Sequence, residues 1–335
     1  MPAKIYYRPI AQTDRQRPDN AYDLAGGPVW FSHAEKLVRG KQSQLISAGE
    51  IPADILADIT GDRAPICGLS LNTARIMGVL NVTPDSFSDG GMFDGLEAAC
   101  SQAAKMVSQG ADLLDIGGES TRPGADFVEP ELEIERTSPV IAALKKQIKS
   151  TPISIDTRKA SVARSALQAG AALINDVSAL SYDDKMLKLL GESRSAVCLM
   201  HASGDPKTMQ NEPQYEDVLL DVFDYLEARV KLCVDYGIPR EKILIDPGIG
   251  FGKTLEHNLA LIRGLSLFHG LGCAILLGVS RKRFIGTIAN EPVADRRASG
   301  SIAVALEGVR QGVQMLRVHD IRETKQALLL ANAIL

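Results

Sequence analysis

Leu113-Leu114-Asp115-Ile116-Gly117, then a helically spaced stretch over Glu131–Ile148, then Ile153-Ser154-Ile155-Asp156-Thr157 form the passage on which the fold turns. The two outer segments are short and rich in Ile and Leu. A near-continuous apolar strand on either side of a helix predicts a parallel sheet covered on its outer side. The same unit repeats in both directions. Further apolar runs occur at Ile76–Val82, Leu173–Val177, Ala196–His201, Ile243–Gly248, Ala274–Ser280 and Met315–Asp320. Helical spacing fills Leu96–Gln109, Val218–Tyr236 and Ala298–Gln311, with Gly-containing turns at Gln109-Gly110 and Tyr236-Gly237. Eight strand–helix units in about 260 residues predict an α/β protein, a (β/α)8 TIM barrel over residues 75–335. The alternative is a doubly wound open sheet. It usually has fewer strands and a Gly-rich first turn, and no G-x-G-x-x-G follows the first run here.

Residues 1–74 differ in character. Their charges cancel, turn residues cluster at Arg17–Asn20 and Ala25–Pro28, and a single helix is predicted near Pro52–Ile59. They read as an N-terminal extension packed on the barrel, with no function assigned. The whole chain has 37 Lys+Arg against 41 Asp+Glu, and this mild acidity without a basic block argues against nucleic acid as a partner. No apolar run is long enough to span a membrane. The start has no apolar signal core, and the five scattered cysteines form no C-x-x-C pair. A reduced, cytoplasmic protein without structural zinc is expected.

A TIM barrel puts its active site at the C-terminal ends of its strands. The polar residues there are Asn81, Gly117–Gly124, Asp156, Asn175-Asp176, Met200-His201, Asp246, Ser280-Arg281-Lys282, and Arg317 with His319. Asp156 or Asp246 alone reads equally well as a helix N-cap. Eight such ends at one rim point to a single polar ligand site. On the last strand, alternation puts Arg317 and His319 on one face and Leu316 and Val318 on the other. The apolar pair should face the helices. Arg317 and His319 then form either an anion clamp at the usual phosphate end of the barrel or an internal salt bridge. Two carboxylates, an asparagine and a lysine suit a planar heterocycle with a donor-rich edge. Lys282 is alternatively a Schiff-base nucleophile, its pKa depressed by Arg281 and Arg283. Gly252-Lys253-Thr254 is not a P-loop, because Pro247 stands where that motif needs glycine.

Longer motifs then narrow the reading. Met77–Gly91 and Asp115–Gly124 resemble the first two signatures of the dihydropteroate synthase family. Leu244–Lys253, Ser280-Arg281-Lys282 and Arg317–Asp320 resemble its later ones, in order. The resemblance implies a homodimeric transferase of folate biosynthesis and a sulfonamide target. It would join (7,8-dihydropterin-6-yl)methyl diphosphate to 4-aminobenzoate, giving 7,8-dihydropteroate and diphosphate by a dissociative route. It also implies roles. Asp156, Asn175, Met200, Asp246 and Lys282 would hold the pterin. Asn81, Arg122, Arg317 and His319 would hold the diphosphate, with Mg²⁺ on Asn81. Thr121, Arg122, Pro123, Phe251 and Lys282 would line the 4-aminobenzoate site, and Asp156, Lys282, Arg317 and His319 would be catalytic. Ala202-Ser203-Gly204 and Arg283 depart from the family pattern. Two other readings are a methyltetrahydrofolate-dependent methyltransferase of the same barrel group and a silent pterin-binding paralogue. The first would not need the Thr83–Phe87 loop or the Arg317/His319 pair, and the second would not need an intact site.

Overall fold

Side chains that are apolar on both faces of a strand need cover on both sides, and a closed barrel ringed by helices provides it. The structure, a computed structural model, describes residues 3–82, 92–120, 126–204 and 213–334. Five short strands open the chain: β1 Tyr6–Pro9, β2 Tyr22–Asp23, β3 Trp30–Phe31, β4 His33–Leu37 and β5 Gln44–Ser47. Helix α1 follows at Ala53–Thr60. Strands and helices then alternate: β6 Arg75–Asn81, α2 Met92–Ser108, β7 Leu113–Gly117, α3 Pro130–Gln147, β8 Ile153–Asp156 and α4 Ala160–Ala169. The second half holds β9 Leu173–Asp176, α5 Lys185–Ser193, β10 Ala196–Met200, α6 Val218–Asp235, β11 Ile243–Asp246 and α7 Leu255–Arg263. It ends with β12 Ala274–Leu277, α8 Arg283–Ile288, α9 Ala298–Arg310, β13 Met315–Val318 and α10 Ile321–Ile334. Strands β6 to β13 are the eight apolar runs, and they close in sequence order into one parallel barrel.

Alternation along these strands divides two cores. Ile153, Ile155, Ile174, Leu199, Ile245, Leu277, Leu316 and Val318 pack outward with helical residues such as Ala305, Val309 and Ile321. Met77, Leu113, Leu173, Cys198, Leu244, Leu276 and Met315 fill the lower interior. The inward positions nearer the strand ends are Asp115 and Gly117 on one strand and Asp156, Asn175, Met200, Asp246, Gly278 and Arg317 on the others. The interior thus changes from apolar to polar along the barrel axis.

The extension completes the floor of this barrel. Ile66 and Leu71 belong to the interior cluster. Ile66 and Leu69 exchange backbone hydrogen bonds of 3.0 and 2.8 Å across Cys67 and Gly68. Both central residues have positive φ (50° and 81°), as a type I′ turn requires. Arg63 fastens the segment by donating to the carbonyls of Asp58, Gly61, His269 and Cys273. Apart from α1, periodicity did not foretell these elements, because two- to five-residue strands are too short to display it. Since Ile66 is 2% exposed, Ile66→Ala should cost ~2–4 kcal/mol of stability through a cavity. Urea unfolding checks the loss, and turnover per folded molecule should stay unchanged.

Candidate active site

A carboxylate at the end of one parallel strand faces the residues at the ends of its neighbours. Asp156 is in register with Gly117 on one side and Asn175 on the other, and Met200 is in register with Asp246. Asp156, Asn175, Met200 and Asp246 are all buried. Two glycines leave room among them. A Cβ at Gly278 would lie 3.6 Å from Asp246 Oδ2 and 3.9 Å from both Lys282 Nζ and the Arg317 Cβ. A Cβ at Gly117 would lie 3.5 Å from Asn81 Oδ1 and 3.7 Å from the Asp156 Cβ. The site residues of β6, β8, β11 and β13, with Lys282 just beyond β12, therefore converge on space that side chains would otherwise fill.

Arg317 adopts the internal salt bridge. Its Nε donates to Asp115 Oδ2 at 2.6 Å and its Nη2 to Asp156 Oδ2 at 2.7 Å. Nη1 has no hydrogen-bond partner among the described residues, and the side chain is 22% exposed. Burial works against the guanidinium charge, but the two carboxylates outweigh it and raise the pKa. The salt bridge and an anion clamp are compatible, because a guanidinium has five N–H donors and two are used here. His319 receives its orientation from Ser280: its Nδ1 lies 3.0 Å from Ser280 Oγ and its backbone N–H donates to the same oxygen.

Asp246 Oδ1 accepts the Gly248 N–H at 2.7 Å, which leaves Oδ2 directed toward the Gly278 gap. Burial raises the Asp246 pKa and the Lys282 charge partly reverses the shift. Lys282 sits 4.5 Å from the Phe251 ring centre and donates to the Ile249 carbonyl. Burial lowers its pKa to about 8, Asp246 opposes the shift and Arg317 adds to it. The expected effect of Arg281 and Arg283 on Lys282 is not seen. Arg281 is turned away to Asp320 and Asp295, and Arg283 is exposed at the start of α8.

Asp156 is pushed up to about 7, by burial first and by the nearby Asp115 charge, against the pull of Arg317. Its Oδ1 is buried without a hydrogen-bond partner among the described residues. A folded pKa near 7 exceeds the ordinary carboxylate value of about 4. Between these two values the folded protein holds a proton that the unfolded chain has released. Stability therefore falls as pH rises through this window. The ligand-free wild type should lose more stability than Asp156→Asn between pH 4.5 and pH 7.5, which urea unfolding at the two pH values measures.

Of the remaining candidates, Thr121, Arg122 and Pro123 lie outside the described residues. Within the described residues, Lys159 ties Glu119 and Glu133 at 3.0 and 2.6 Å. Gly252-Lys253-Thr254 has a structural explanation. Thr254 caps α7, and the buried Lys253 donates to the carbonyls of His201 and Phe251 beside His201 Nδ1. The residue that sequence reasoning missed is Asp115, which is fully buried and bonded to both Arg317 and Asn175. Its signal was available, as a carboxylate interrupting an apolar strand on the inward-facing alternation.

A family model described as "pterin binding enzyme" matches residues 77–319, which takes in β7 to β13 whole and β6 from its third residue. The chain belongs to the pterin-binding enzyme family. Within that family it is similar to the dihydropteroate synthase of Escherichia coli K12, with 44% identity over 267 residues, 80% of this chain and 94% of that one. A structure of the Xanthomonas albilineans dihydropteroate synthase with 4-aminobenzoic acid superposes with a TM-score of 0.75 at 43% identity, covering 79% of this chain and 94% of that one. The same enzyme in complex with 7,8-dihydropteroate gives a TM-score of 0.72 at 39% identity, covering 79% and 95%. The family match begins two residues into β6, so the extension lies outside it.

Proposed function

We propose that the chain condenses (7,8-dihydropterin-6-yl)methyl diphosphate with 4-aminobenzoate to give 7,8-dihydropteroate and diphosphate. The observation that carries this reading is the pairing of a buried acceptor set with an offered cation at one barrel mouth. Asp156, Asn175 and Asp246 supply the acceptors, and Arg317 supplies the cation, in a chain that is 44% identical to a dihydropteroate synthase. The pterin would lie in the gap at Gly278, its N–H edge on Asp246 Oδ2 and Asp156 Oδ1, with Met200 against the ring and Lys282 on a ring acceptor. The diphosphate would meet Nη1 of Arg317 and the His319 ring.

The chemistry is a substitution at the methylene carbon. The C–O bond to diphosphate breaks, the arylamine nitrogen forms the new C–N bond, and that nitrogen loses one proton. Arg317 and His319 neutralise the departing charge, and Asp156 faces the positive charge that develops on the pterinyl carbon. Charge separated in this way favours a dissociative order. The amine then needs no strong base. Phe251 and Lys282, already in contact, form one wall of the 4-aminobenzoate site.

Mg²⁺ fits this arrangement as the partner of diphosphate. Asn81 Oδ1 faces the Gly117 gap, and one amide oxygen suits an ion that keeps waters and substrate phosphates as its other ligands. When bound, the ion supplies further neutralisation of the leaving group. Residues 1–74 are assigned the structural role of closing the barrel floor. A homodimer through the late helices would cover Ile288, Leu329, Leu330 and Ile334, all exposed and apolar. No helix among the described residues is long and apolar enough to cross a membrane, and the cytoplasm is the proposed location. Calorimetric titration of free 6-hydroxymethyl-7,8-dihydropterin tests the assigned substrate. Saturable binding at one site per chain is expected, and the absence of binding by folded protein overturns the pterin assignment.

A further inference from the structure

A carboxylate buried inside a barrel has to be useful to its neighbours, because it brings no stability of its own unless its oxygens are bonded. Asp115 is 0% exposed and lies on β7, in register with Ser154. Ser154 is two residues before Asp156, so Asp115 occupies an inward position one step deeper than the polar rim. From there a single oxygen, Oδ2, accepts both Arg317 Nε at 2.6 Å and Asn175 Nδ2 at 3.0 Å.

This contact settles the direction of the Asn175 amide. A carboxylate only accepts, so the amide atom that faces it must be the NH2 group. The amide is planar, so its oxygen is turned away from Asp115. Without a carboxylate at 115, either end of the amide could face inward, and a ligand at the mouth would meet a mixture of donor and acceptor. The same oxygen fixes the guanidinium plane of Arg317. With Nε on Asp115 and Nη2 on Asp156, rotation about the last side-chain bonds is stopped and Nη1 is the edge left to a ligand.

We propose that Asp115 is a positioning residue, whose Oδ2 fixes the amide of Asn175 and the guanidinium plane of Arg317 together and so ties recognition of the heterocycle to the anion end of the site. The proposal rests on the pterin reading of the mouth. It makes Asp115 neither a ligand of the substrate nor a catalytic residue.

The test compares wild type, Asp115→Asn and the exchanged pair Asp115→Asn/Asn175→Asp. Free 6-hydroxymethyl-7,8-dihydropterin is titrated by calorimetry, and KM is measured for each substrate. Asp115→Asn should weaken pterin binding at least tenfold and raise KM for the pterin diphosphate by a similar factor. KM for 4-aminobenzoate should stay within about threefold, a split that a general loss of packing does not produce. The exchanged pair keeps the hydrogen bond and the total charge but puts the carboxylate at 175. It should regain stability and, because the second carboxylate oxygen at 175 is again an acceptor at the mouth, part of the pterin affinity lost in Asp115→Asn. Pterin affinity within twofold of wild type in Asp115→Asn overturns the proposal. Selective ¹⁵N-asparagine labelling of the wild type decides the matter if neither variant folds. One side-chain N–H of Asn175 should exchange slowly with solvent, and two fast-exchanging protons overturn the proposal. Failure of the wild type itself to bind the pterin is a different result, and it overturns the reading of the mouth.

Discussion

Arg317→Ala should lower kcat/KM for the pterin diphosphate by about 10³-fold, roughly 4 kcal/mol of transition-state stabilisation. Among the described residues of the mouth, Arg317 is the cation that stays charged at any working pH and can bind bidentately, and the leaving group loses it. The effect will not be confined to the anion. Arg317 is also the partner of Asp115 and Asp156, so its removal leaves two buried carboxylates facing each other. Breaking such a pair costs ~3–5 kcal/mol, and some pterin affinity should go with it. Loss of Arg317 is therefore expected to weaken both the diphosphate and the pterin. His319→Ala makes the cleaner separation, because Ser280 orients the ring. It should weaken inorganic diphosphate by about tenfold, ~1.4 kcal/mol, and leave the free pterin unaffected. Calorimetry with each ligand measures both variants. Arg317→Lys keeps the charge without the fork and should recover stability better than turnover.

Asp246→Asn is expected to weaken pterin binding by ~1–3 kcal/mol, roughly 5- to 150-fold. The structure sharpens the reason. Oδ1 of Asp246 already accepts the Gly248 N–H, and an asparagine would keep its oxygen there. Its NH2 group would then point into the Gly278 gap, donor against the donor edge of the ligand. The Lys282 ammonium would also lose the carboxylate that offsets its burial, so its pKa should fall further below about 8. Unchanged pterin affinity in Asp246→Asn, measured by calorimetry, would remove Asp246 from the site.

The barrel was legible because each of its strands is covered on both faces. Runs such as Ala196–Met200 and Ala274–Leu277 are buried throughout, so their apolar character is continuous and easily seen. The rim was legible for a related reason. Where a run of this kind ends in Asp156, Asn175 or Asp246, the change of polarity marks the inward layer that meets solvent or ligand. What the sequence hid were contacts between strands. Arg317 and Asp115 are 202 positions apart, and no local pattern states which carboxylate a guanidinium will reach. The floor hairpin at Ile66–Leu69 was hidden because its two bonded residues make no periodic signal. The burial of Lys253 beside His201 could not be read from Gly252-Lys253-Thr254 alone. Burial of the pair lowers both pKa values, that of His201 to about 3, which leaves the ring a neutral acceptor for the lysine.

Turnover of the two substrates by the purified full chain is the most direct measurement. The protein is incubated with (7,8-dihydropterin-6-yl)methyl diphosphate, 4-aminobenzoate and Mg²⁺, and the products are followed by mass spectrometry together with diphosphate release. The expected result is 7,8-dihydropteroate and diphosphate in equal amounts, with no dihydropteroate when either substrate is left out. Folded protein that binds the free pterin yet forms no dihydropteroate would contradict the assigned reaction.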